Sequence, residues 1–302
     1  MCPLRVILSS LASSLASVAW CGLALYGQEA TFRSDTRLVV LNVSVMDQEG
    51  KVVKNLPKTA FSVYENGEKQ TVSVFRQEDV PISLGLIIDT SASMTDKRDR
   101  VASAAVAMVK ASHPDDEVFI INFNESAELA KEFTNNITDL EAALRNLKAK
   151  GETAMRDALL LGIEHLRHRG HRDKKVLLVV TDGEDNSSVE TQVHLAEIAQ
   201  QNDVIVYAVG LLEAEEAESA ARAKKQLTEL TQQTGGRAWF PKDVGEIANI
   251  TPDIAHEIRN QYVLAYTPSN LAADGAFRKI RVDVDSPGVL VRTRSGYYAP
   301  KK

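Results

Sequence analysis

The apolar positions change rhythm twice along the chain. Between Arg37 and Arg76 they fall on alternate residues. Val39, Leu41, Val43 and Val45 are separated by Val40, Asn42 and Ser44, the period-two pattern of a strand with one face turned to a core. Glu49-Gly50 marks a turn, and Phe61 and Val63 lead through Asn66-Gly67 to Val72 and Val74, which predicts a β-hairpin. The same rhythm returns near the C-terminus. Gln261–Tyr266 predicts a short strand, Asp274-Gly275 a turn, and Ile280, Val282 and Val284 alternate with Lys279, Arg281 and Asp283. Pro287-Gly288 then breaks the chain before a last β segment, Val289–Tyr298.

In the middle the pattern is different. Ile82–Ile88, Val118–Phe123, Val176–Val180 and Val204–Val209 are short, nearly continuous apolar runs, as in strands buried on both faces of a sheet. The segments between them have helical spacing: Leu140, Ala143, Leu144 and Leu147 line one face, and Met155, Leu159, Gly162, Ile163 and Leu166 another. Glu213–Leu230 and Val244–Arg259 predict two more helices. The alternation predicts an α/β fold, a doubly wound and mostly parallel sheet over residues 81–258, flanked by β segments at residues 29–80 and 259–302. Neither flank holds enough strands for a stable sandwich. The expectation is therefore that they pair into one sandwich-like domain carrying the α/β part as an insertion; two separate small β-units are the alternative.

The first 28 residues read as an address. One charge, Arg5, is followed by an apolar, Ser- and Ala-rich run from Val6 to Leu25 and by Gly27, the layout of a secretory signal peptide. An uncleaved membrane anchor is the alternative, since the run approaches the roughly 20 residues that span a bilayer. The expectation is an exported protein, periplasmic or extracellular, without membrane insertion after cleavage. Composition sharpens this only at two points. Cys2 and Cys21 are the sole cysteines, so residues beyond 21 offer no disulfide, thiolate metal site or sulfur nucleophile. A formal net charge of −6 argues against a nucleic-acid partner.

Ligands of doubly wound sheets bind beyond the carboxyl ends of the strands. There the first buried run ends in Asp89-Thr90-Ser91-Ala92-Ser93, and a later one in Thr181-Asp182-Gly183. Between them Gly151-Glu152-Thr153 precedes the helical segment from Met155. Asp89, Ser91, Ser93, Thr153 and Asp182 form an all-oxygen set suited to a hard divalent cation, Mg²⁺ first, with Mn²⁺ or Ca²⁺ as alternatives. Taken singly, each is also a good helix N-cap. The acidic stretch Gly183–Ser187 reads as a solvated polar loop or as the seat of a second cation. His165, His168 and His171, at a helix end with Arg167, Arg169 and Arg172, lack the carboxylate or cysteine set of a zinc site.

Asp89-x-Ser91-x-Ser93, then Thr153, then Asp182 in Thr-Asp-Gly, resembles the metal-ion-dependent adhesion site of von Willebrand factor type A domains. The flanking Val-Leu-Asn-Val-Ser-Val and Arg-Ser-Gly-Tyr-Tyr are similar to those of bacterial exported proteins that carry such a domain. The resemblance implies that Ser91 and Ser93 bind the cation directly. Asp89 and Asp182 act through water or hydrogen bonds, Thr153 joins in some ligation states, and a partner's Glu or Asp completes the shell. It implies a non-enzymatic, adhesion-type module for an acidic protein ligand, of unassigned oligomeric state. Two other readings stand beside it: an envelope protein whose cation only stabilises the fold, and a metal-dependent hydrolase, which the lack of a histidine at the strand exits disfavours.

Overall fold

The computed structural model describes residues 38–77, 79–110, 113–147 and 149–301; residues 1–28, expected to be a signal peptide, and both cysteines lie outside them. The strands are β1 (Val39–Met46), β2 (Phe61–Glu65), β3 (Glu68–Gln70), β4 (Val72–Gln77), β5 (Ile82–Asp89), β6 (Glu117–Phe123), β7 (Ala127–Thr134), β8 (Lys174–Thr181), β9 (Val204–Gly210), β10 (Ala238–Trp239), β11 (Tyr262–Tyr266), β12 (Phe277–Val284), β13 (Leu290–Arg292) and β14 (Gly296–Tyr298). The helices are α1 (Arg98–Lys110), α2 (Ile137–Arg145), α3 (Met155–Arg169), α4 (Gln192–Gln201), α5 (Ala217–Thr234) and α6 (Ile247–Arg259). Among the described residues no helix is long and apolar enough to cross a membrane.

The central sheet has six strands in the order β10-β9-β8-β5-β6-β7. All pairings in it are parallel except β6 with β7. Every residue of β5 and β9 is buried, which is why these segments read as unbroken apolar runs. Alternate residues point to opposite faces. Leu84, Leu86, Ile120, Val176 and Leu178 pack with α1, α2 and α6, while Ile87, Phe119, Ile121, Leu177 and Val179 pack with α3, α4 and α5. The edge strand β7, Ala-Glu-Leu-Ala-Lys-Glu-Phe-Thr, is mostly exposed or half-buried and has no apolar run to announce it.

Two four-stranded antiparallel sheets, β13-β1-β11-β4 and β14-β12-β2-β3, share a second core of Leu41, Val43, Val45, Phe61, Val63, Tyr262, Leu264, Tyr266, Ile280 and Val282. β1 pairs with β11 and β13, and β2 with β12, so strands from before residue 80 and after residue 260 alternate in the first sheet and meet at the β12–β2 pair in the second. The expected hairpin is shorter than its sequence suggests. β2 turns at Asn66-Gly67 into β3, and Val72 and Val74 leave that sheet to pair with β11 in the other. One turn and three residues of β3 satisfy the edge of β2, and the apolar residues that follow serve the opposite layer. β1 also departs from simple alternation, because Ser44 and Met46 are buried on its outer face. There Gln261 donates to both Ser44 Oγ (2.9 Å) and Tyr207 Oη (3.1 Å), tying β1 to the base of α6 and to β9.

Candidate functional site

β5 and β8 are neighbours in parallel register, Ile88 opposite Val180. The next residues, Asp89 and Thr181, are therefore adjacent where the strands leave the sheet, and the Thr181 hydroxyl donates to Asp89 Oδ2 at 2.5 Å. Asp89 Oδ1 accepts the Ser91 amide at 2.7 Å, bending the chain back over the sheet edge. Thr90 spends both its amide and its hydroxyl on the Phe123 carbonyl of β6 (2.7 and 2.8 Å), which anchors the loop and leaves that hydroxyl committed to the backbone. Two turns follow and lead into α1.

Within this loop the Ser91 and Ser93 hydroxyls lie 3.1 Å apart, and Ser93 donates to Asp182 Oδ1 at 2.7 Å. The other Asp182 oxygen meets the Lys97 ammonium at 2.5 Å. Asp89, Ser91 and Asp182 are buried, whereas Ser93 is exposed and Lys97 half-buried, so the cluster is rooted in the sheet and opens to solvent. Burial, with the Asp182 charge adding to it, pushes the Asp89 carboxyl up to about 6 against the opposing hydrogen bonds from Thr181 and Ser91.

Thr153 reaches the same edge through backbone bonds. Lys150 N donates to Thr90 O (2.8 Å), Ala92 N to Gly151 O (3.1 Å) and Ala154 N to Asn124 O (2.7 Å). Gly151 takes a left-handed conformation (φ 76°) with the Glu125 carboxylate against it, at a point where a β-carbon would lie 1.4 Å from Glu125 Oε2. The left-handed backbone favours glycine here, and a larger residue would also have to displace the Glu125 carboxylate. Neither Ser91, ahead of the short turn Ala92–Met94, nor any side chain at the start of α3 makes a side-chain cap bond. The capping alternative therefore does not account for the Ser91 and Thr153 hydroxyls.

The acidic stretch after Asp182 is not a solvated loop. Asp185 is buried and accepts from the Arg156 amide (2.8 Å), Arg156 Nη2 (3.2 Å), and the Ser188 amide and hydroxyl (3.1 and 2.7 Å). Asn186 Oδ1 accepts the Thr153 amide at 3.0 Å, and the Asn186 and Ser187 amides donate back to Thr153 O. The loop is a clamp on Thr153 and the first turn of α3. The side chains of Glu184, Asp185 and Asn186 accept from protein donors, which the composition of the stretch does not reveal. The histidines go to separate partners: His165 to Glu132, His168 to Arg167 and His171 to Glu117. Among the described residues no group of three or more His, Cys, Asp or Glu side chains is placed to hold a metal. The convergent set is made of hydroxyls and two carboxylates instead.

That set fits a hard divalent cation in two respects. Its donors are all oxygen, and a cation, the Lys97 ammonium, already sits on Asp182. Lys97 and Glu125 have no signal in the sequence, and the part Asn186 plays within the Gly183–Ser187 stretch depends on how the loop folds back.

Residues 84–184 match the family model "von Willebrand factor type A domain". An uncharacterized protein of Synechocystis is 29% identical over 136 residues, covering 43% of this chain and 32% of its own length, so the chain spans about a third of that relative. A von Willebrand factor type A structure from Catenulispora acidiphila aligns over 90% of this chain and 76% of its own, at 13% identity and a TM-score of 0.52. Proximal thread matrix protein 1 of the mussel byssus, solved with a zinc-occupied MIDAS motif, aligns over 64% and 49% at 16% identity and a TM-score of 0.50. The chain thus spans about half the length of the mussel protein. The sequence match at residues 84–184 and the mixed, mostly parallel six-stranded sheet give the central part of the chain an α/β fold like that of von Willebrand factor type A domains.

Proposed function

We propose that this chain is an exported binding module. In this reading a divalent cation, Mg²⁺ in the first instance, is held at the carboxyl ends of β5 and β8 and captures a Glu or Asp side chain of a partner protein. Ser91, Ser93 and Thr153 would hold the cation, with Asp89 and Asp182 orienting the hydroxyls and balancing charge. When bound, the cation supplies a Lewis-acidic position for the incoming carboxylate. The observation that carries the reading is the chain of contacts Ser91–Ser93–Asp182–Lys97, in which hydroxyls and a carboxylate converge on a positive charge at an open sheet edge. We further propose that the α/β part is an insertion in a β-sandwich built from both flanks of the chain.

The module is non-enzymatic in this reading. His165, His168 and His171 lie in the C-terminal part of α3 or just beyond it, at the end opposite Thr153, and so supply no general base at the strand exits. The test is titration calorimetry of the described chain with Mg²⁺ and Mn²⁺, beside Asp89→Ala. The expected result is saturable one-site binding in the parent, lost in the variant, with capture of an acidic protein ligand that is reversed by chelator. Equal binding by both chains would sink the site.

A further inference from the structure

The position of Lys97 is the feature that helix energetics do not explain. Its carbonyl accepts the Val101 amide at 3.1 Å, which puts the residue at the N-terminal end of α1. A cation there opposes the helix dipole. The side chain nevertheless turns back across the loop to Asp182 Oδ2, with 19% of it exposed, opposite a carboxylate that is fully buried. Asp182 is thus gripped on one oxygen by Ser93 and on the other by Lys97.

We propose that Lys97 is a built-in positive charge of the cation site, one that weakens loading of the divalent ion alone and makes stable loading depend on an incoming carboxylate. The inference rests on the cation-site reading above and concerns its regulation. Its basis is charge arithmetic. Two carboxylates and one ammonium leave the cluster one negative charge, so a divalent ion turns it positive by one. An acidic side chain from a partner brings it to neutrality. An ammonium a few ångströms from the ion also repels it, and in a partly buried setting such repulsion is strong enough to change affinity by about tenfold or more. Since coupling between two ligands is reciprocal, a cation bound weakly alone and tightly with a carboxylate also makes the carboxylate bind only when the cation is present. The module would then stay open until ion and partner arrive together.

The experiment is titration of the chain with MnCl₂ in the presence of sodium acetate or, at equal ionic strength, sodium chloride, for the parent, Lys97→Met and Lys97→Arg. The inference expects Lys97→Met to bind Mn²⁺ about tenfold or more tightly without acetate. Acetate should tighten Mn²⁺ binding by the parent several-fold and by Lys97→Met much less, with Lys97→Arg behaving as the parent. A Lys97→Met dissociation constant equal to or weaker than the parent's, or an equal acetate effect in both, overturns the role of Lys97 and leaves the cation site standing. Absence of Mn²⁺ binding in parent and Lys97→Met alike overturns the cation site and this inference with it. Thermal melting of each variant checks that it is folded.

Discussion

The two ends of the six-stranded sheet carry the same kinds of side chain and use them in opposite ways. At the amino ends of the strands, Arg259, the last residue of α6, lies between Asp116 and Asp79, and the Lys174 ammonium donates to the Ile258 carbonyl. Asp116 is closed on every side: Oδ1 takes the Ile82 amide (2.9 Å), and Oδ2 the His113 amide (3.0 Å) and the Arg259 guanidinium. At the carboxyl ends there are two carboxylates and one ammonium, Lys97 meets Asp182 alone, and Ser93 is exposed. The base is a finished set of bonds that pins the entry and exit of the α/β part together. The top is a set with acceptor capacity left over. Closure and charge balance, rather than residue type, separate a structural charge cluster from a binding one.

Arg259→Met gives the widest break in that contrast. It leaves Asp116 buried without its guanidinium, and losing one partner of a buried pair costs about 3–5 kcal/mol. Denaturant unfolding of the variant should show that loss, while Mn²⁺ binding by the folded fraction stays as in the parent. A loss below about 1 kcal/mol would mean that the base is no more closed than the top. At the other end the signs reverse. Asp89→Asn should reduce Mn²⁺ affinity about 100-fold or more, because the site loses one of its two negative charges. The cation-free protein should melt no lower than the parent, since the ionised form of a buried carboxylate is unfavourable there. A variant that melts lower than the parent and binds Mn²⁺ as tightly would place Asp89 with the structural charges.

The legibility of the two ends in the sequence differs for the same reason. The exits of β5 and β8 are visible because continuous apolar runs end abruptly in Asp-x-Ser-x-Ser and Thr-Asp-Gly, so strand and candidate ligand are read from one pattern. The base is invisible, since Asp79, Asp116, Lys174 and Arg259 are scattered singly among ordinary surface-type residues and meet only in the fold. β7 escaped detection because an edge strand with polar outward residues has no apolar signature. Val72 and Val74 pair with β11 rather than closing the expected hairpin, because alternation identifies a strand and says nothing about which sheet receives it. Lys97 and Asn186 belong to the same class: their direction is set by turns, not by spacing.

Asn186 sharpens the comparison from a smaller effect. Its side chain holds the Thr153 amide while its own amide and that of Ser187 bond Thr153 O. Asn186→Ala removes the side-chain acceptor and keeps the backbone bonds, so the loop stays in place and Thr153 is less firmly oriented. Second-layer contacts of this sort change cation affinity by about 10–100-fold, and the lower end is expected here because two of three bonds survive. Calorimetry with Mn²⁺ reads the change. An unaltered dissociation constant would remove Thr153 from the cation's surroundings.

The smallest expected effect is the dependence on pH, and it separates proton from cation at one carboxylate. Asp89 is pushed up to about 6, chiefly by burial, from an ordinary value of 3.8. Between about pH 4 and 6 the folded, cation-free protein keeps this proton while the unfolded chain has lost it. The contribution of Asp89 to stability is therefore present at low pH and is lost as pH rises through that window. Cation binding runs the other way, because the cation competes with the same proton. Mn²⁺ affinity should fall about tenfold between pH 7 and pH 5, as the ionised fraction of a group titrating near 6 drops by that factor. Asp89→Asn should remove this negative contribution to the stability slope between pH 4 and 6, leaving that of the other carboxylates. A parent chain whose Mn²⁺ affinity is flat from pH 7 to pH 5 would show that Asp89 does not titrate against the cation. The buried carboxylate at the end of β5 would then resemble Asp116 at the base, closed by its protein partners and unavailable to anything that arrives from solvent.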